Sequence, residues 1–131
     1  MKISALRESV GRSLWGELYV SGKEADGMIY ELRTYQLVVG GLPDYLEVAR
    51  TMILPGVADH GLKPLGFWYT EVGQLNEVVH LWAYADLNER QDKWGKWARD
   101  PRRAEVLKKL RGVVVSQSNK ILSPTDFSPM K

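Results

Sequence analysis

The stretch "VVHLWAY", Val78 to Tyr84, decides how this chain folds. Val78, His80, Trp82 and Tyr84 alternate with Val79, Leu81 and Ala83. That is the period-two pattern of a β-strand, whose side chains point to the two faces of a sheet in turn. Upstream, "MIYELRTYQLV" from Met28 is rich in β-branched and aromatic residues and reads as another strand, closed by the turn pair Gly40-Gly41. Two more strands follow the same logic: "PLGFWYTEV", joined to the central stretch by a loop around Gly73 to Asn76, and "GVVVSQSNKIL" near the C-terminus. A proline-punctuated tail, "SPTDFSP", follows the last of them.

Helical spacing fills the gaps. In "LPDYLEVARTMILPGVADHG" Leu46, Ala49, Ile53 and Val57 share a stripe, Pro43 sits near the first helical position and Gly61 marks the stop. Pro55, inside that helix, should kink or break it, because proline lacks the amide proton and clashes with the carbonyl four residues back. "DLNERQDKWGKWARD" is helical with Leu87, Gln91, Trp94 and Ala98 on one stripe, and Asp100 is placed to cap a further helix from Pro101 through Leu107 and Leu110.

The order strand, helix, strand, strand, helix, strand is the α+β ferredoxin-like βαββαβ plan, an antiparallel four-stranded sheet with its first and third strands central. Helices cover one face of such a sheet. On this reading the small apolar set Val79, Leu81 and Ala83 lies beneath the helices, and His80, Trp82 and Tyr84 occupy the uncovered face. Large aromatics left open mark an interface or a ligand groove, and a second copy packed sheet to sheet is the simplest cover.

Composition excludes several classes. The chain of 131 residues carries 18 Lys and Arg against 16 Asp and Glu, too even a balance for a nucleic-acid footprint. With no cysteine there are no disulfides, thiolate nucleophiles or zinc fingers, and a cytoplasmic setting fits. No window approaches the roughly 18 apolar residues of a membrane span. Arg7, Glu8 and Arg12 interrupt any signal-peptide core, and His60 and His80 alone are too few for a metal site, so neither metal nor cofactor is expected. The domain is expected to start at Met28. Residues 1–27 then form a leader whose four basic and four acidic side chains cancel.

The runs "MIYELRTYQL", "HGLKPLGFWYTEVGQLNEVVHLWAYADLNER", "DPRRAEVL" and "SQSNKILSPTDFSP" resemble bacterial members of the NIPSNAP family across residues 28–131, with the extension before Met28 outside the pattern. The resemblance implies a dimeric α/β barrel, in which two ferredoxin-like sheets pack face to face and often assemble further. The same superfamily holds cofactor-independent monooxygenases, muconolactone isomerases and haem-binding chlorite dismutase-like proteins. The family supplies no catalytic motif to carry across residue by residue.

Glu31, Arg33 and Tyr35 share one face of the first strand and are placed beside His80, Trp82 and Tyr84, with Trp68 as a further wall. Apolar walls with few polar anchors are typical of small-molecule sites. Arg33 could hold a carboxylate or enolate, and His80, titrating near neutrality, could move a proton. The opposing reading has Glu31 and Arg33 neutralise each other while the aromatics fill a dimer core. His60 reads as a cap on its own helix end, Trp94 and Trp97 as core or rim, and the run Arg99, Arg102, Arg103, Lys108, Lys109 and Arg111 as a solvated face. Two functions stay open. One is a homo-oligomer with a small-molecule pocket between sheet and partner subunit, serving a cofactor-independent oxygenase or isomerase on an aromatic or enolisable substrate. The other is a non-catalytic scaffold whose aromatic face serves assembly alone.

Overall fold

The computed structural model describes residues 27–131, so all but the last residue of the expected leader lies outside the described residues. The elements are β1 (Ile29–Leu37), α1 (Leu42–Val48), a π-helical turn (Ala49–Ile53), α2 (Leu54–Ala58), β2 (Gly66–Tyr69), β3 (Glu77–Tyr84), α3 (Leu87–Ala98), α4 (Pro101–Leu110) and β4 (Val114–Leu122). The four strands form an antiparallel sheet in the order β2-β3-β1-β4, with β1 and β3 central as the sequence implied.

Local chemistry sets the boundaries. Gly40, at φ 83°, makes the left-handed turn that ends β1. Asp86 caps α3 by accepting from the Glu89 amide, and Asp100 caps α4 by accepting from the Arg102 amide. The break expected at Pro55 takes a definite form. The helix loosens into the π-helical turn immediately before it, and Pro55 then falls at the start of α2, where its missing N–H leaves no gap in the ladder. Val48 and Leu54, which flank the π-helical turn, both keep helical dihedrals.

Register pairs Glu31 with Trp82, Arg33 with His80 and Tyr35 with Val78, so the two polar and aromatic sets do share a face. That face is the covered one. Val78, His80, Trp82 and Tyr84 are buried while Val79, Leu81 and Ala83 are half-buried on the opposite side, which reverses the expected assignment. Trp82 and Tyr84 pack with Val48, Val57, Leu62, Trp97 and Val106, and Val78 packs with Leu37, Tyr45 and Ala49. The physical reason is volume. Helices ride well above the sheet plane, and side chains as small as valine and alanine cannot fill that layer, whereas a Trp, a Tyr and a His can.

The helices show the same shift. Leu87 and Gln91 are exposed, and the inward stripe of α3 is Arg90, Trp94 and Trp97. Trp97 lies against α2 at Gly56, where a Cβ would come within 2.5 Å of its ring, so only glycine permits this approach. Trp68 pairs with Val79 on the open face, about half exposed, its ring folded over Gly66; it is not a wall of the helix-covered site. Its neighbour Phe67, paired with His80, takes that place.

Candidate functional site

Between the sheet and the helices lies a cavity of about 240 Å³. The sheet contributes Arg33, Tyr35, Phe67, His80 and Trp82, and Gln117 comes from β4. Arg90, Trp94 and Trp97 of α3 face them, with Arg103, Val106, Leu107 and Leu110 of α4 closing the far side and Tyr45 and Ile53 the end. Ile53 is the last residue of the π-helical turn.

Glu31 sits beneath this cavity, with its residue surface fully buried. Its Oε1 accepts from the Tyr84 hydroxyl at 2.6 Å and Arg90 Nε at 3.0 Å; its Oε2 accepts from Arg90 Nη2 at 2.9 Å and Asn119 Nδ2 at 2.6 Å. Trp94 Nε1 donates to the Tyr84 hydroxyl at 2.6 Å, which extends the network into α3. Burial alone would raise the Glu31 pKa, but the bonds from Arg90, Tyr84 and Asn119 and the Arg33 charge outweigh it and bring the carboxyl to about 2. The expected Glu31–Arg33 neutralisation is therefore a minor contact, at 4.0 Å, because the fork of Arg90 reaches both oxygens.

His80 is stacked on Phe67 with ring centroids 4.5 Å apart and meets the edge of Tyr35 at 5.0 Å. Trp82 Nε1 donates to His80 Nδ1 at 2.7 Å. An indole N–H can only donate, so Nδ1 is the acceptor and the imidazole proton sits on Nε2. Burial, helped by the Arg33 charge and opposed by that of Glu31, lowers its pKa to about 4. His80 is thus a neutral hydrogen-bond donor at pH 7, not a group titrating near neutrality. Arg33 lies over the Trp94 ring at 4.6 Å from its centroid. Among the described residues, neither Arg33 Nε nor His80 Nε2 has a hydrogen-bond partner, although both atoms are buried.

Arg33, Tyr35, His80 and Trp82 are thus brought to one cavity, Glu31 and Tyr84 to its supporting network, and Trp68 to neither. Arg90, Arg103, Phe67 and Asn119 were missed. An arginine one helical turn before Trp94 was the available signal for Arg90. His60 Nε2 bonds Asp100 Oδ2 at 2.8 Å and so ties the end of α2 to the cap of α4, not to carbonyls of its own helix. Arg102 reaches both Asp59 and Asp100, and most of α4's basic residues are exposed as read. Among the described residues no group of three or more His, Cys, Asp or Glu could hold a metal ion, and no helix is long and apolar enough to cross a membrane.

The NIPSNAP family model matches residues 30–129. The chain belongs to the NIPSNAP family. Among curated relatives, the human protein NipSnap homolog 3A is 32% identical over 117 residues, covering 89% of this chain and 46% of the relative. NipSnap homolog 2 of Danio rerio is 31% identical over 103 residues, covering 79% of this chain and 35% of the relative. This NIPSNAP chain therefore spans about half, or less, of the length of those relatives. A solved NIPSNAP family protein of Agrobacterium tumefaciens superposes with a TM-score of 0.75 at 35% identity, covering 81% of this chain and 96% of that one. A NIPSNAP-like domain protein of Burkholderia xenovorans gives 0.74 at 31%, covering 79% and 90%. A putative monooxygenase of Lactobacillus acidophilus shares the fold alone, with a TM-score of 0.59 at 15% identity over 74% of this chain and 44% of that one. The NIPSNAP fold here is the α+β, ferredoxin-like sheet of the dimeric α/β-barrel class.

Proposed function

We propose that this NIPSNAP domain binds a small organic molecule in the cavity between its own sheet and helices, and self-associates through the open face of the sheet. The observation that carries the first part is the cavity itself: about 240 Å³ walled by aromatic rings, with two buried donors left unsatisfied on its sheet side. Burying a donor without an acceptor costs about 1–3 kcal/mol, and folds seldom tolerate two side by side without a use for them. The site therefore belongs to one subunit, in place of the expected pocket between sheet and partner. Supporting the second part, the open face carries Leu32, Val79, Leu81 and the half-exposed Trp68 beneath no helix of the described residues. A standard interface buries about 1,600 Å², which a sheet-to-sheet homodimer can supply.

As chemistry, the cavity offers donors and no carboxylate or free imidazole acceptor in its lining. It suits holding an electron-rich oxygen better than abstracting a proton. A cofactor-independent oxygenase or isomerase acting on an aromatic or enolisable substrate fits, provided the substrate reacts from its stabilised anion; Arg33 and His80 would then be the catalytic donors. Native mass spectrometry of the protein purified from its own host reads both parts at once. The expected result is a dimer or larger assembly with one retained small molecule per subunit. An empty protein refutes the cavity reading, and a monomer at micromolar concentration refutes the assembly.

A further inference from the structure

We propose that the occupant of the cavity is a small organic oxyanion on a planar apolar body, of which an aromatic carboxylate is the simplest form, held by Arg33 Nε and His80 Nε2–H. The proposal rests on the cavity reading above and adds the ligand's charge and shape. Three guanidiniums line the cavity, those of Arg33, Arg90 and Arg103, and no Asp or Glu does. Arg90 is engaged by Glu31 through two bonds. Arg33 has only the 4.0 Å contact to the same carboxylate, and Arg103 forms no ion pair among the described residues. One buried carboxylate is thus set against three guanidiniums, and the cavity carries uncompensated positive charge.

The donors are arranged as a pair. Arg33 and His80 stand opposite each other on β1 and β3, on the same face of the sheet. Because Trp82 occupies Nδ1, the imidazole can present only its Nε2–H to anything that enters. Two unpartnered donors on facing residues of one sheet face, one of them charged, suit the two oxygens of a carboxylate or the single oxygen of an enolate, and such charge-assisted bonds are the stronger class. An amine or ammonium group would meet a positive field, with only the neutral acceptors of Tyr35, Tyr45 and Gln117 in the lining to offset it. Phe67, Trp82, Trp94 and Trp97 supply flat walls, and a volume of about 240 Å³, below the roughly 300–1,000 Å³ of drug-sized sites, admits a body of one or two rings. Arg103, half-buried on α4, stands at the outer side, where it adds attraction without direct burial.

The test titrates 2-naphthoate, 2-naphthamide and 2-naphthylmethylammonium into the full chain by isothermal calorimetry. Naphthoate is expected to bind at least ten-fold more tightly than the amide, and the ammonium not at all. Arg33→Gln should weaken naphthoate far more than the amide and so erase the preference for naphthoate. Arg103→Gln, at a position whose loss leaves the core intact, should weaken naphthoate by a smaller factor and the amide hardly at all. An amide that binds as tightly as the carboxylate overturns the anion proposal and leaves the cavity reading standing. If none of the three binds, the molecule retained in native mass spectrometry decides: an anion upholds the proposal, a neutral or cationic compound overturns it. An empty protein removes the cavity reading with it.

Discussion

Replacing Glu31 by glutamine keeps the side chain's shape and removes its charge. The carboxylate accepts four hydrogen bonds, two on each oxygen, from Tyr84, Arg90 and Asn119. Glutamine offers one oxygen, and its amide nitrogen, whichever way it turns, faces a donor. Arg90 then loses half its fork and all of its counter-charge. Holding the carboxyl near 2 instead of its ordinary 4.5 corresponds, at about 1.36 kcal/mol per pH unit, to about 3 kcal/mol at neutral pH. Breaking a buried pair by removing one partner typically costs about 3–5 kcal/mol, which agrees. The folded-state pKa is depressed, so this stability is full above about pH 4.5 and is lost as the pH falls through 2. Urea denaturation at pH 7 and at a series of values down to 2, at one fixed protein concentration, measures both effects. Glu31→Gln should be about 3 kcal/mol less stable at pH 7, with the gap closing across the acid window. A variant within 1 kcal/mol of the parent at neutral pH, or a gap undiminished at pH 2, would refute the reasoning.

Gly56→Ala should cost about 1–3 kcal/mol, since its Cβ would meet the Trp97 ring at 2.5 Å; a lowered urea midpoint with altered tryptophan emission checks it, and an unchanged midpoint would show that α2 can shift freely. Deleting residues 1–27 removes equal numbers of basic and acidic side chains and should leave the fold and assembly intact. A broadened melt or a changed oligomeric state in the shortened protein would show that the segment packs on the domain.

The order of the elements, the pairing of β1 with β3 and the shared face of Glu31, Arg33 and Tyr35 with His80, Trp82 and Tyr84 were all legible, because strand periodicity and turn residues are local signals. Which face the helices cover was not. Alternation in "VVHLWAY" establishes two sets, but both contain apolar residues, and a wrong choice of parity moves every side chain to the other side. A separate misreading of β2 put Trp68 on the face of His80, where the register places Phe67. Side-chain bulk was the signal that could have decided it, since the larger set has more to bury. The partners of the polar groups were harder still. Arg90 is 59 residues from Glu31, and an arginine in a helix pattern looks like solvent-facing charge until the carboxylate beneath it is known. His80's tautomer depends on a neighbour two residues along the same strand, which becomes visible only once the rotamers are in place.

The helix α3 is fastened along its whole span. Near its start Arg90 grips Glu31, in the middle Trp94 holds Tyr84 and Lys93 reaches the Gly61 carbonyl, and just past its end Asp100 bonds His60. It behaves as a beam supported at both ends and between. A wall held only by apolar packing would settle onto the sheet and close an empty space, because nothing but contact sets its height. This one keeps its distance by directional bonds anchored in two strands, β1 and β3, and in the segment that ends α2. On the proposed reading, a molecule entering beneath it would meet rings and donors already in position, so little of its binding free energy would go into ordering the walls, and more would remain as affinity and as discrimination between shapes.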